Sequence, residues 1–239
     1  AHLPSAEVIL TFAVDSFLNF VNDESAKAHL NKIGLGHSFR QGLVEEAKKD
    51  PNTWRLFLQS VLYHDLVSSC GAKHYTPFFI RTQGHGDYWL IHLSQHHKAR
   101  DVMTEIHWQH NNHFVHFGGA GLNMLQMNGY DPKYDNGIKL QPDLFNFDHQ
   151  AEQRSHAALI DQIPHRIYSH TTGLTFGELF VSSCNQSPAT ERMFKEALAV
   201  MSQERMLDIF TPSGGVRRSA QQITSSDQIM APKQGTFFF

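Results

Sequence analysis

The chain has 239 residues, a formal net charge of −3, 41% hydrophobic and 18% charged residues. Its length suits one large domain or two small ones, and its composition is ordinary for a folded soluble protein. The slight acidity argues against a strongly basic nucleic-acid binder, while leaving room for a local basic patch.

Histidine is the outlier. Seventeen imidazoles make the net charge climb as pH falls through about 6.5. Cys70 and Cys184 stand far apart with no CxxC or CxH spacing, so neither a disulfide framework nor a zinc finger is expected, and a cytoplasmic location fits. No stretch approaches 18 apolar residues, and no basic region precedes the first apolar run, so no membrane partner and no signal peptide are expected. The first residue is Ala1 rather than Met, and a strand-like segment follows almost at once. That is the pattern of a trimmed chain or of part of a longer protein.

In chain order, "EVILTFAV" (Glu7–Val14) is continuously apolar and partly β-branched. It reads as a strand buried on both faces of an α/β sheet. A helix follows over 15–33, with Phe17, Leu18, Val21 and Leu30 at helical spacing and Asp15 or Ser16 as its cap. Residues 34–72 read as helical, broken at Asp50-Pro51 and stopped at Gly71. "HYTPFFIRT" and "DYWLIHLSQ" read as two strands around a "QGHG" turn. "HHKARDVMTEIHW" reads as a helix with Ala99, Val102, Met103, Ile106 and His107 on one side. Strand and helix thus alternate over the first ~110 residues, which argues for an α/β layer.

Residues 118–149, rich in Gly, Asn, Asp and Pro, read as a linker. Beyond them come three helices: "HQAEQRSHAALIDQIPHRIYSH", kinked at Pro164; a short one opened by Thr175; and "SPATERMFKEALAVMSQERM", with Met193, Phe194, Ala197, Leu198 and Met201 facing inward. "LDIFTPSGGVRRSAQQI" then alternates, turns at "PSGG" and returns with two arginines. Three helices and a β-hairpin are the order of a winged helix-turn-helix domain. The expected organisation is a partial α/β layer at 1–117, a linker at 118–149 and a winged-helix domain at 150–239.

Three segments together carry a family likeness: "EVILTFAVDSFLNFV", "GDYWLIHLSQHHKARDVMTEIHW" and the closing "VRRSAQQITSSDQIMAPKQGTFFF". In order and spacing they resemble the C-terminal half of the three-Cys-motif partner proteins. These are bacterial methyltransferase-like α/β proteins with a winged-helix tail, named for a neighbouring gene product that carries a three-cysteine motif. The resemblance implies a methyltransferase lineage. It also implies an N-terminal half in which a Gly-rich "FAGPG"-like loop and a strand ending in "DPFG" would cradle S-adenosylmethionine. Neither motif occurs here, and none of the glycine clusters at 34–36, 84–86, 118–121 and 213–215 stands between a clear strand and a helix start. On this reading the chain binds no cofactor alone, and its partners are that half or a separate subunit, a three-Cys-motif protein and DNA or RNA.

The run "HWQHNNHFVHF" holds His107, His110, His113 and His116 at intervals of three. Three residues turn a helix by about 300°, and a strand alternates faces, so neither element gathers the four imidazoles. A metal would need ligands from elsewhere, such as His85, His92, His96 or Asp87, and none is expected. "QHHK" (Gln95–Lys98) lies at a strand-to-helix turn, where it is either the edge of a ligand crevice or a solvated helix start. Asp15, also at a strand end, is the one weak catalytic candidate beside its capping role. Cys70 and Cys184 lack a base at recognisable spacing and read as inert thiols.

Arg192 and Lys195 on the third helix, with Arg217 and Arg218 on the wing, are the candidates for contact with nucleic acid or a partner. Residues 189–233 nevertheless carry six Lys/Arg against five Asp/Glu, too small an excess for strong counterion release. The closing "QGTFFF" reads as docked back on the domain or as an anchor into a partner. The sequence therefore supports a C-terminal part or subunit that assists a methyltransferase-type site. The alternatives are a stand-alone nucleic-acid-binding module and a His-based metalloenzyme.

Overall fold

A computed structural model describes residues 6–13, 23–32, 36–37, 40–42, 44–45, 71–82, 86–110, 114–117, 120–122 and 144–232. The chain forms two compact units. One comprises Ala1–Gly118 with Gln126–Phe147, the other Gly119–Leu125 with Asp148–Phe239.

The first unit contains β1 (Val8–Ala13), α1 (Glu24–Lys32), β2 (His74–Thr82), β3 (Gly86–Ser94), α2 (His97–Gln109), β4 (Phe114–Phe117) and β5 (Leu144–Asn146). Its five strands form one sheet in the order β1-β3-β2-β4-β5, every neighbouring pair antiparallel. The β2–β3 hairpin runs from His74↔Ser94 to Thr82↔Gly86, as the two apolar runs around "QGHG" require. Since β1 and β2 are both antiparallel to β3, they share a direction. The chain joins them by a crossover that includes α1, and β3 is inserted between them.

Three readings change. β1 is not buried on both faces: it stands at the sheet's end, with Val8 and Ile9 exposed. The next strand in, β3, is an interior one, where Ile91, His92, Leu93 and Ser94 are all buried. On α2 the buried face is Arg100, Thr104 and His107, while Val102 and Ile106 point to solvent. Leu144–Asn146, inside the stretch read as a linker, pairs with β4 as β5. The helices read over 15–22 and 51–70 lie outside the described residues. Gly71 does adopt the left-handed backbone (φ 69°) that a helix stop uses. Among the described residues no helix is long and apolar enough to cross a membrane.

The second unit contains α3 (His149–Tyr168), β6 (Leu174–Thr175), α4 (Phe176–Ser183), α5 (Glu191–Gln203), β7 (Asp208–Phe210) and β8 (Gln228–Met230). Asp148 caps α3 by accepting from the Ala151 N–H at 2.8 Å. Ala151, Ser155, Leu159, Ile163 and Ile167 form its buried stripe at intervals of four, and the helix continues through Pro164. Thr175 opens α4 with a capping box: its hydroxyl accepts from Glu178 N–H while the Glu178 carboxylate accepts from Thr175 N–H. On α5 the five expected inward residues, Met193, Phe194, Ala197, Leu198 and Met201, are all buried. Strands β6-β8-β7 form a small antiparallel sheet.

The order helix, strand, two helices and closing hairpin is a winged helix. The hairpin differs from the expected one. After the turn at Thr211–Gly215 the chain pairs back only through a single bridge, Phe210↔Val216. It then detours through a 3₁₀ turn at Ala220–Gln222 before β8. Arg217 and Arg218 therefore lie on this detour rather than in a returning strand.

Candidate functional site

Helix α5 and the wing hold the described contact candidates, and the structure gives each of the four basic residues a different neighbourhood. Arg192 is held from two helices. Its guanidinium donates to Glu152 of α3 at 3.0 Å and to Glu196 one turn further along α5 at 2.9 Å. The Glu152 hydrogen bond raises its pKa most; partial burial opposes it, and the Glu196 contact adds to the rise. Lys195 pairs with Glu191 at 2.7 Å and lies 5.3 Å from the centre of the Phe176 ring. Both cations of the recognition-helix position are thus neutralised by the unit's own carboxylates.

Arg217 is part of the fold of the wing. Its Nε donates to Asp227 at 3.2 Å, its backbone N–H to the Ile209 carbonyl at 2.8 Å, and its carbonyl accepts from Ser202. Asp227 is fully buried and also accepts from Thr224 N–H at 2.8 Å. Arg218, next in the chain, is exposed and makes no hydrogen bond or ion pair among the described residues. The structure does not gather the four basic side chains into one patch. From 148 to 232 the sequence carries seven Lys/Arg and nine Asp/Glu, a slight acidic excess.

Beside Arg192, α3 and α5 enclose a groove of about 410 Å³. Its apolar lining comes from Ala157, Ile160 and Met193, with Glu152, Glu196 and His156 along it. Apolar ground with a few polar groups at its edge is the pattern of a protein-docking surface more than of a phosphate-binding one.

The other candidates disperse. Asp15, Cys70, His85 and His113 lie outside the described residues. Cys184 is buried. The "QHHK" turn is a helix cap: His96 Nδ1 accepts from Lys98 N–H at 3.1 Å, Ser94 Oγ accepts from His96 N–H, and the His96 and His97 rings stack at 4.5 Å. His107 is buried with its ring edge-on to Phe147 at 5.4 Å, and Trp108 meets the same phenyl at 4.9 Å. His110 follows as the exposed C-cap. No group of three or more His, Cys, Asp or Glu able to hold a metal occurs among the described residues.

The one described strand-to-helix junction of the first unit, Ser94 to His97, has no glycine, and Ser94 Oγ and His96 Nδ1 hydrogen-bond within the cap. Gly214 and Gly215 shape the wing turn, where Gly214 has φ +87°.

Sequence reasoning missed two functional-site residues. Glu152 pairs with α5 across 40 positions, which no local pattern reveals. Asp227 is legible only as the Asp of a "TSSD" turn, whose side chain bonds back to Thr224 N–H.

Residues 129–214 match the family model of the GMT-like wHTH domain, about a third of the chain. The match includes all three helices and the first wing strand and stops at the wing turn, before β8. It supports the winged helix, a fold compatible with nucleic-acid binding. No curated protein and no solved structure matches the chain significantly.

Proposed function

We propose that this chain is the C-terminal part of a three-Cys-motif partner-like protein, with its winged-helix unit as a contact module for a partner protein. The module would serve a methyltransferase-type site that this chain does not hold, and the partner of first choice is a three-Cys-motif protein. The observation that carries the reading is the α3–α5 groove: apolar ground bordered by carboxylates that already neutralise Arg192.

The test is calorimetric. The chain is titrated with a three-Cys-motif protein and, separately, with S-adenosylmethionine. Submicromolar protein binding is expected, weakened at least tenfold by Ala157→Arg, which fills the groove from an exposed helix position. Binding unchanged by that substitution refutes the groove. Micromolar S-adenosylmethionine binding by this chain alone refutes the division of labour.

A second reading, contact with DNA or RNA, is favoured by unpaired Arg218 on the wing, where an arginine can reach phosphates. It predicts an oligonucleotide gel shift that weakens between about 50 and 200 mM salt and is lost in Arg218→Glu. A shift indifferent to Arg218→Glu rules out the wing contact.

A further inference from the structure

Arg205 is the one described residue other than glycine with a left-handed backbone, φ 58°. It closes the end of α5. Its N–H donates to the Ser202 carbonyl at 3.3 Å, and the next N–H, of Met206, reaches back to the Met201 carbonyl at 2.9 Å. Glycine makes such a turn without the crowding that a Cβ meets in the left-handed region, and it is the usual residue there. An arginine at that position gives up backbone ease, which points to a use for its side chain outside the fold.

Arg205 is exposed, and its guanidinium makes no hydrogen bond or ion pair among the described residues. Every Asp and Glu of the second unit is described, and none pairs with Arg205 or with Arg218. Ser202 ties the two arginines together. Its carbonyl holds the Arg205 N–H, and its hydroxyl donates at 3.2 Å to the Arg217 carbonyl, one peptide bond from Arg218. The end of α5 and the wing detour thus meet at one serine, and each carries an exposed arginine.

We infer that Arg205 and Arg218 together bind one nucleic-acid backbone, each at a phosphate. A guanidinium matches phosphate geometry, and two of them on adjoining turns suit a chain of regularly spaced anions. Helix α5 offers base edges no free cation, because Arg192 is held by Glu152 and Glu196, and Lys195 by Glu191. The contact is therefore blind to sequence. Exposed Glu204, beside Arg205, offsets part of the charge and keeps the contact weak. The inference rests on the wing reading of nucleic-acid contact and adds a second residue to it.

Fluorescence anisotropy tests it, with the full chain titrated into labelled duplex DNA and single-stranded RNA, each in two unrelated sequences. The better-bound polymer identifies the backbone, and its two sequences should bind alike. Arg205→Gly should weaken binding at least about threefold at about 50 mM salt, and lower the salt slope by about 0.9 on duplex or about 0.7 on a single strand. Its melting temperature should hold or rise, because glycine suits the turn. Arg205→Lys, which keeps a cation, should retain most of the slope. No binding by wild type, or binding indifferent to Arg218→Glu, removes the wing reading and this inference with it. Binding lost in Arg218→Glu but kept in Arg205→Gly overturns the inference alone. So does a tenfold preference between the two sequences, and so does a melting temperature lowered by more than about 4 °C in Arg205→Gly, which assigns the side chain to the fold.

Discussion

Replacing Arg217 by Ala tests whether this residue holds the wing or serves as a free cation. Asp227 is fully buried, and its Oδ2 accepts from two groups, Thr224 N–H at 2.8 Å and Arg217 Nε at 3.2 Å. Its Oδ1 has no hydrogen-bond partner among the described residues. Removing the guanidinium leaves a buried carboxylate with one N–H, a change that costs about 3–5 kcal/mol when both ions are fully buried. The Arg217 side chain is 29% exposed, so water partly replaces it, and about 2 kcal/mol is the better figure. For a unit of this size that lowers the melting temperature by roughly 8–16 °C. Arg218→Ala, one residue on and without a partner among the described residues, should cost less than about 0.5 kcal/mol. Paired thermal melts followed by circular dichroism, checked by urea titration, decide the matter. Equal destabilisation by the two variants refutes a structural role for the Arg217–Asp227 pair, and so does full stability of Arg217→Ala.

Three other perturbations read different parts of the second unit. Gly173→Ala should cost at least about 2 kcal/mol in urea unfolding: Gly173 has φ +70°, and a Cβ there would collide with the Ile229 carbonyl oxygen. Thr175→Ala should cost about 1 kcal/mol by removing the α4 cap. The same cap gives a pH signature. Hydrogen bonds from Thr175, backbone first and hydroxyl second, hold the Glu178 carboxyl below its ordinary pKa. A depressed carboxyl contributes stability above its unfolded value and loses it as pH falls through the folded one. The wild-type advantage over Glu178→Gln should therefore be full above about pH 4.5 and shrink progressively as pH falls below it, as urea midpoints between pH 3 and 7 would report. Finally, Glu152→Gln combined with Glu196→Gln frees Arg192. Under the nucleic-acid reading this should tighten oligonucleotide binding and steepen the salt slope by about one. An unchanged slope shows that α5 faces something else.

The second unit was largely legible because its signals are local. Asp148, Thr175 and Thr190 each cap a helix three residues before the N–H they accept from. The inward face of α5 follows from 3.6-residue periodicity over a chain with a clear apolar stripe. What escaped was set by distant partners. The Arg192–Glu152 pair joins helices 40 positions apart, and the Arg217–Asp227 pair spans a detour where the sequence suggested a plain hairpin. The basic residues were visible, but their availability was not, because a cation's freedom depends on which carboxylates the fold brings to it.

In the first unit the same periodicity argument misassigned faces, and the reason is physical. A strand buried on both faces and a bare edge strand can share one apolar sequence, because hydrophobicity reports what a segment needs covered and not whether this chain covers it. On α2 the contest was between Val102 and Ile106 on one side and Arg100, Thr104 and His107 on the other. The polar side is the buried one. It belongs to a broader polar interior: on the sheet, His74, Thr76, His92 and Ser94 share one face by the β2–β3 register, and all four are buried. Thr104 resolves part of the cost by donating to the Arg100 carbonyl at 3.0 Å, and His92 by its 3.3 Å contact with Glu7. Thr76 Oγ1 and His92 Nδ1, at directly opposed positions, have no hydrogen-bond partner among the described residues. A buried polar face beside exposed valine and isoleucine inverts the usual distribution. That inversion is set by which faces the sheet and α2 turn toward each other, and an apolar pattern read along one element at a time does not reveal it.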